Sequence, residues 1–155
     1  MFISEPPQGQ QLHSWYAKLI STGFAGKLLV MYVHHPSLLV VLTRGKTVTR
    51  TIPAFCNRLE ALLKRNNFKA DFIEREMQLV KRGYMISKTN SKSMLASMNA
   101  ITYNIEARCF DFESYEAIDI SSIEDSYLDY LTQDRSKPGG YRFTRDFWKD
   151  IDAIN

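Results

Sequence analysis

The segment KLLVMYVHHPSLLVVL, residues 27–42, decides the fold class of this 155-residue chain. Residues 27–33 are almost continuously apolar and rich in strand-forming residues, which is typical of a central strand. His34-His35-Pro36-Ser37 interrupts the run, because proline lacks a backbone donor and restricts the residue before it. A second apolar run, residues 38–42, follows at once. The segment therefore predicts a β-hairpin.

Strand patterns flank this hairpin on both sides. Before it, Trp15, Ala17 and Leu19 alternate with polar residues at the period of a half-buried strand. After it, a turn at residues 44–46 leads into residues 47–52, whose β-branched side chains predict a short edge strand with its charges outward. Together these patterns predict an N-terminal antiparallel meander of about four strands.

Helical periodicity begins after Pro53 and predicts an α+β fold. Apolar residues recur at helical spacing in several segments, with one further strand at 84–89. We expect helices at 55–65, at about 70–81, from residue 92 onward, at about 123–131 behind a Ser121–Glu124 cap, and at 144–154. A single layer of helices would then pack on the sheet. We expect one domain spanning residues 1–155, with a flexible or loosely ordered segment at residues 1–10.

Composition indicates an ordinary globular protein, with 45% apolar and 24% charged residues. Cys56 and Cys109 lie far apart in the sequence, which fits a reducing compartment. The first residues lack the basic and apolar regions of a secretory signal, and no apolar run is long enough to cross a bilayer. These features predict a cytoplasmic protein without a membrane partner.

Charge is unevenly distributed along the chain. Residues 1–105 contain 14 Lys and Arg against 5 Asp and Glu, whereas residues 106–155 contain 6 against 12. Two causes can produce such a split. Either the two parts attract each other within one fold, or the basic part faces an anionic partner such as a nucleic acid.

The three histidines are the side chains best suited to proton transfer near neutral pH. His13 and His35, facing each other across adjacent strands, could act as acid and base in cutting RNA without a metal. His34 and His35 are consecutive on an extended segment, so they point to opposite faces and only one of them can join a given site. The alternative is a structural or surface role for all three.

Metal and nucleotide motifs are absent from the sequence. It contains no HExxH, no CxxC, no GxxxxGK[ST] and no GxGxxG element. We therefore expect no metal and no cofactor.

Basic and aromatic residues form a candidate binding set. Lysines near a helix start would suit a phosphate, and an aromatic side chain could stack on a base. The alternative is that the cations stabilise helix ends and that the tryptophan belongs to the core. The candidate binding residues are Trp15, Tyr16, Arg44, Lys46, Arg50, Lys88, Lys92, Ser93 and Asn99.

Two segments carry a family resemblance, LHSWYAKL at residues 12–19 and SKSMLASMN at residues 91–99. The chain resembles an uncharacterised family of small bacterial or mobile-element domains of unknown function. That family has a W-[YH]-A-x-L strand and a [DS]-[RK]-S-x-x-[GA]-[ST]-[ML]-N segment that opens a helix. The resemblance implies an α+β order of elements and a bacterial or mobile-element origin, but no activity.

Function is therefore inferred from the residues themselves. The leading hypothesis is a non-enzymatic binding module that contacts another macromolecule, above all a protein, which includes a second copy of itself. An antitoxin or an immunity protein would be examples. The alternative hypothesis is a nucleic-acid-binding protein or a metal-independent ribonuclease-type toxin that uses His13 and His35.

Overall fold

A computed structural model of the chain describes residues 14–35, 37–81, 92–133 and 140–154. The strands in chain order are β1 (Ser14–Ser21), β2 (Leu28–His35), β3 (Val40–Arg44), β4 (Leu131–Gln133) and β5 (Tyr141–Phe143). The helices are α1 (Val48–Arg65), α2 (Ala70–Lys81), α3 (Lys92–Cys109), α4 (Ile120–Ser126) and α5 (Thr144–Ile154), with a 3₁₀ turn at Tyr127–Asp129. The α+β class and the N-terminal antiparallel meander are confirmed.

The main sheet has β2 at its centre, paired antiparallel to β1 on one side and to β3 on the other. Trp15 pairs with His34 across the first pair of strands, and Val33 pairs with Val40 across the second. The six inner residues of β2 are nearly all fully buried. The apolar run at residues 28–33 is continuous because helices cover both faces of this strand.

Helices pack on both faces of the sheet, so the predicted single layer of helices is wrong. On one face, which we call the α1 face, α1, α2 and Trp148 of α5 pack against Val30, Tyr32 and Val41. On the other, the α3 face, α3 and α4 pack against Leu29, Met31 and Leu42. The prediction failed because it did not use the fact that a strand apolar on both faces needs a cover on each.

The strand predicted at residues 47–52 is also wrong, because α1 already begins at Val48. The Thr51 hydroxyl donates to the Thr47 carbonyl at 2.9 Å, as a β-branched residue can do within a helix. The Tyr32 hydroxyl donates to the Val48 carbonyl at 2.9 Å and thereby anchors this first turn to β2. Tertiary packing has overridden the strand propensity of these residues. The helix continues through Pro53, which lies inside it.

Other helix boundaries agree more closely with the sequence. α1 ends at the predicted Asn66-Asn67 pair, where Asn67 adopts a left-handed conformation with φ of 65°. The fourth helix begins three residues earlier than predicted, and its cap is Asp119, whose carboxylate accepts from the Ser122 amide. The strand predicted at 84–89 and the segment 1–10 lie outside the described residues. No helix in the described part of the chain is long and apolar enough to span a bilayer.

Candidate functional site

His34 and His35 point to opposite faces of the sheet, as their position on an extended segment predicts. His34 is fully buried on the α1 face, and its Nδ1 lies 2.7 Å from the Ser37 hydroxyl oxygen. Its ring packs between Trp15 and Trp148, with centroid distances of 5.0 and 4.9 Å. Such a histidine has no access to a substrate, and it serves the core.

Ser37 connects the β2–β3 turn to the last helix. Its hydroxyl oxygen accepts from the indole nitrogen of Trp148 at 2.9 Å and from the Leu39 amide at 3.2 Å. Its carbonyl accepts from the Thr144 hydroxyl at 2.6 Å. These buried bonds fix α5 against the sheet, and they account for the polar residues in the middle of the apolar segment 27–42.

His35 lies on the α3 face, half-buried, with the ring of Tyr16 at a centroid distance of 6.2 Å. Partial burial lowers the pKa of its imidazole below 6.5, because the charged form loses hydration. His13, its proposed catalytic partner, lies outside the described residues.

The two aromatic candidates of β1 both pack inward. Trp15 contacts the α1-face core, where its ring lies 4.9 Å from that of Phe55. Tyr16 packs against the α3-face core. Their arrangement matches the alternative interpretation of Trp15 as a core residue, and the two rings are on opposite faces rather than on one stacking platform.

The basic candidates do not converge on one surface. The Arg44 guanidinium donates to the carbonyls of Glu116 and Ile118 at 3.2 and 3.0 Å, so it holds a loop of the acidic part of the chain. Lys46 and Arg50 are exposed near the start of α1 and form no hydrogen bond or ion pair with other described residues. Lys92 is exposed at the start of α3, on the other side of the sheet.

The remaining candidates also belong to α3 or precede it. Asn99 accepts from the Lys18 ammonium at 2.9 Å, which ties the flank of α3 to β1. Ser93 is exposed in the first turn. Lys88 falls outside the described residues. The candidate residues are therefore divided between the two faces of the sheet.

A buried charge cluster centred on Glu124 was not predicted. The Glu124 carboxylate is fully buried and accepts from Arg58 at 2.6 Å and from Arg65 at 3.0 Å. Its second oxygen accepts from the Leu42 amide at 2.9 Å. Because β3 is at the edge of the sheet, Glu124 satisfies a backbone donor that would otherwise be unpaired. Arg65 also pairs with Asp125 at 2.9 Å.

The Glu124 cluster explains part of the uneven charge distribution. Two arginines of α1 bind two carboxylates of α4, and Arg44 binds carbonyls of the same acidic part of the chain. These contacts support attraction between the two parts within one fold as the cause of the split. The cationic groups that they occupy are not free to bind phosphate.

The outward side of α3 is the most unusual surface in the described part of the chain. Tyr103 and Phe110 are 78% and 76% exposed, more than any other large hydrophobic side chain described. They belong to a stripe with intervals of four and three residues, the spacing of helices that pair with another helix. We call this stripe the α3 outer face; it consists of Ala96, Ala100, Tyr103 and Ala107 of α3 and of Phe110, which directly follows the helix and whose ring also lies against Gly23.

The α3 outer face contains no charged residue, although a surface helix normally has charged or polar residues opposite its buried side. The buried side is apolar as well, with Met94, Met98, Ile101 and Ile105 against the sheet. The helix is therefore apolar on two opposite sides. One side is explained by the core, and the other is available for a partner.

Two hollows lie near these elements. One, of about 350 Å³, adjoins the α3 outer face at Ala100 and has the Tyr127 hydroxyl on its wall, donating to Asn104 at 2.8 Å. Burial raises the pKa of that phenol to about 12. The other, of about 510 Å³, is an open groove between α1 and α2 with Phe68, Ile73 and Met77 at its apolar base. Neither brings together His, Cys, Asp and Glu side chains as a metal site would, and no such group of three exists among the described residues.

Comparison with known protein families finds a match. The sequence pattern of DUF6933, a domain of unknown function, matches residues 3–146. The chain belongs to the DUF6933 family. This confirms the expected membership of an uncharacterised domain family. A search of curated proteins finds no match.

The DUF6933 match covers the three-stranded sheet, the Glu124 cluster and all of α3. The family description states no activity, ligand or partner. The functional inference for this chain therefore depends on its own surface and its own contacts.

Proposed function

We propose that this chain is a non-enzymatic binding module whose partner is a protein and whose contact surface is the α3 outer face. The observation that carries the proposal is the exposure of Tyr103 and Phe110 on an uncharged stripe of helix. Exposed aromatic side chains are enriched at protein interfaces and supply much of the binding energy there. In this proposal the module works in the bacterial cytoplasm, as an antitoxin or immunity protein does.

The contacts of the candidate residues support a binding role over a catalytic one. His34 is enclosed by Trp15 and Trp148, and Arg44 is engaged with loop carbonyls. By contrast, Tyr103 and Phe110 make no contribution to either core cluster. Side chains of that size at the surface cost solubility, and a partner that covers them accounts for their presence.

The proposal can be tested by co-expression with the products of the neighbouring genes. The tagged wild type would be compared with Tyr103→Glu and with the matched control Tyr141→Glu, since Tyr141 is 61% exposed on β5. We expect a stoichiometric partner with the wild type and the control, and its loss with Tyr103→Glu. A wild type that neither self-associates nor binds any neighbour, or a partner retained by Tyr103→Glu, would remove the basis of the proposal.

A second candidate function, contact with nucleic acid, is supported by the exposed Lys46 and Arg50 at one end of α1. Binding driven by phosphates weakens steeply as salt rises, whereas an apolar protein interface barely responds. The discriminating measurement is RNA and DNA binding at low and at moderate salt, with Lys46→Ser/Arg50→Ser as the variant. Undetectable binding in low salt would eliminate this candidate. For the ribonuclease version, cleavage that survives alanine at His13 and His35 would exclude both histidines.

A further inference from the structure

The sequence of α3 is self-complementary under a two-fold axis. If two copies of the helix run antiparallel with their centres at residues 101–102, Ala100 of one copy lies level with Tyr103 of the other. Ala96 then lies level with Ala107, and Ser93 with Phe110. Each aromatic side chain thus meets a small residue, as close packing between helices requires.

Charge at the two ends of α3 is complementary in the same arrangement. The only charged residue in the first turn is Lys92; the last turn contains both Glu106 and Arg108, and Asp111 lies just beyond it. An antiparallel pair places Lys92 of one copy level with Asp111 of the other, twice by symmetry, while Arg108 of each copy donates to Ser126 of its own chain. The opposed helix dipoles add to this preference, because each positive end approaches a negative one. A parallel pair would instead bring the two Lys92 side chains together.

We propose that the occupant of the α3 outer face is a second copy of this chain, bound through an antiparallel α3–α3 contact. This inference rests on the proposed protein-binding function and names the partner for the same surface. A two-fold contact of this kind is isologous and closes after two copies, so it produces a dimer rather than a fibre.

The expected affinity is modest. One helix face lies near the lower limit of about 1,200 Å² for stable interfaces, so we expect a dissociation constant in the roughly micromolar range. Sedimentation equilibrium of the full chain, from about 1 µM to about 100 µM, would show a monomer–dimer equilibrium. Tyr103→Glu should be monomeric throughout, and Tyr141→Glu should dimerise like the wild type.

Disulfide trapping tests the antiparallel orientation. Ala96→Cys and Ala107→Cys are prepared separately and then mixed under mild oxidation. Residues 96 and 107 are about 16 Å apart along one helix, and a disulfide needs Cα atoms within about 7 Å. The antiparallel pair therefore forms a 96–107 cross-link in the mixture and none in either variant alone. The native Cys56 and Cys109 are buried and do not interfere.

A charge exchange provides a third readout. Lys92→Glu should weaken the dimer, because it places a carboxylate beside Asp111 of the other copy. Adding Asp111→Lys to the same chain should recover most of the lost affinity. Sedimentation equilibrium measures both steps.

Three outcomes would overturn the inference: a wild type that is monomeric over the whole range, a dimer that persists in Tyr103→Glu, and cross-linking of Ala96→Cys with itself. A monomeric wild type would leave the proposed function separately testable, because co-purification of a different protein that depends on Tyr103 would still support it. Another occupant, such as residues 1–13 of the same chain, would show as a monomer in which Tyr103 is protected from surface labelling.

Discussion

The Glu124 cluster and the α3 outer face reverse the usual distribution of charge in a folded protein. At Glu124 a carboxylate is fully buried, and on the α3 outer face four helical positions and Phe110 just beyond them are uncharged and exposed. The first is stable because each oxygen of the carboxylate accepts from two donors. The α3 outer face is left exposed, apart from the contact of the Phe110 ring with Gly23. The comparison indicates that charge here serves the fold, and in the proposed function the apolar surface serves a partner.

The strongest test of this comparison is Glu124→Gln, which keeps the size of the side chain but removes its charge. Arg58 and Arg65 would then lose their shared partner in a mostly buried site. Breaking one side of a buried ion pair costs about 3–5 kcal/mol. We expect a fall of about 3 kcal/mol in the free energy of unfolding, measured by urea denaturation.

The matched control for Glu124→Gln is Glu60→Gln. Glu60 forms an exposed pair with Lys64 at 2.8 Å, one turn along α1. Such surface pairs contribute little to stability because water solvates both partners well. Equal losses in the free energy of unfolding would show that the buried Glu124 ion pairs stabilise the fold no more than an exposed pair does. The contrast between the Glu124 cluster and the α3 outer face would then fail.

Ser37→Ala tests the second buried polar group, which is uncharged. The substitution removes the acceptor of the Trp148 indole and of the Leu39 amide, and it leaves the His34 ring nitrogen without this partner. An unsatisfied buried polar group costs about 1–3 kcal/mol. We expect a loss near 2 kcal/mol in urea denaturation, smaller than for Glu124→Gln. A larger loss would place the main polar anchor of the core at Ser37 instead.

Local pattern in the sequence was sufficient to predict the hairpin, the buried side of α3 and the end of α1 at Asn66-Asn67. It was insufficient where distant packing decides, as at residues 47–52, which are helical because Tyr32 anchors their first turn. The Glu124 cluster could not be predicted, because Arg58 is 66 residues away in the sequence.

The candidate site was predicted less well than the fold. His34 and His35 were placed correctly on opposite faces, whereas the basic residues considered as one binding set do not share a surface. The α3 outer face could have been found, because Ala96, Ala100, Tyr103, Ala107 and Phe110 form a second apolar stripe opposite the buried one. Two stripes on one helix predict two contacts, and the sheet supplies only one of them here.

His35 makes a smaller contribution to the free energy of unfolding, and this contribution depends on pH. Its folded pKa is below 6.5 owing to burial, so the unfolded chain binds the proton first as the pH falls. Its contribution is therefore complete above pH 6.5 and decreases as the pH falls through the folded pKa. We expect the wild type to lose more stability than His35→Gln between pH 7.5 and pH 5, as followed by thermal unfolding. The same pH dependence in both proteins would exclude this role.

The smallest effect on stability is expected for Tyr103→Ser, and it bears most directly on function. The Tyr103 side chain is 78% exposed and belongs to neither core cluster. Surface substitutions of this kind change the free energy of unfolding by less than about 0.5 kcal/mol. Urea denaturation should be performed well below the dimer dissociation constant, so that loss of the partner does not contribute. A loss of several kcal/mol under those conditions would show that Tyr103 serves the fold of the monomer, and the contrast with Glu124 would disappear.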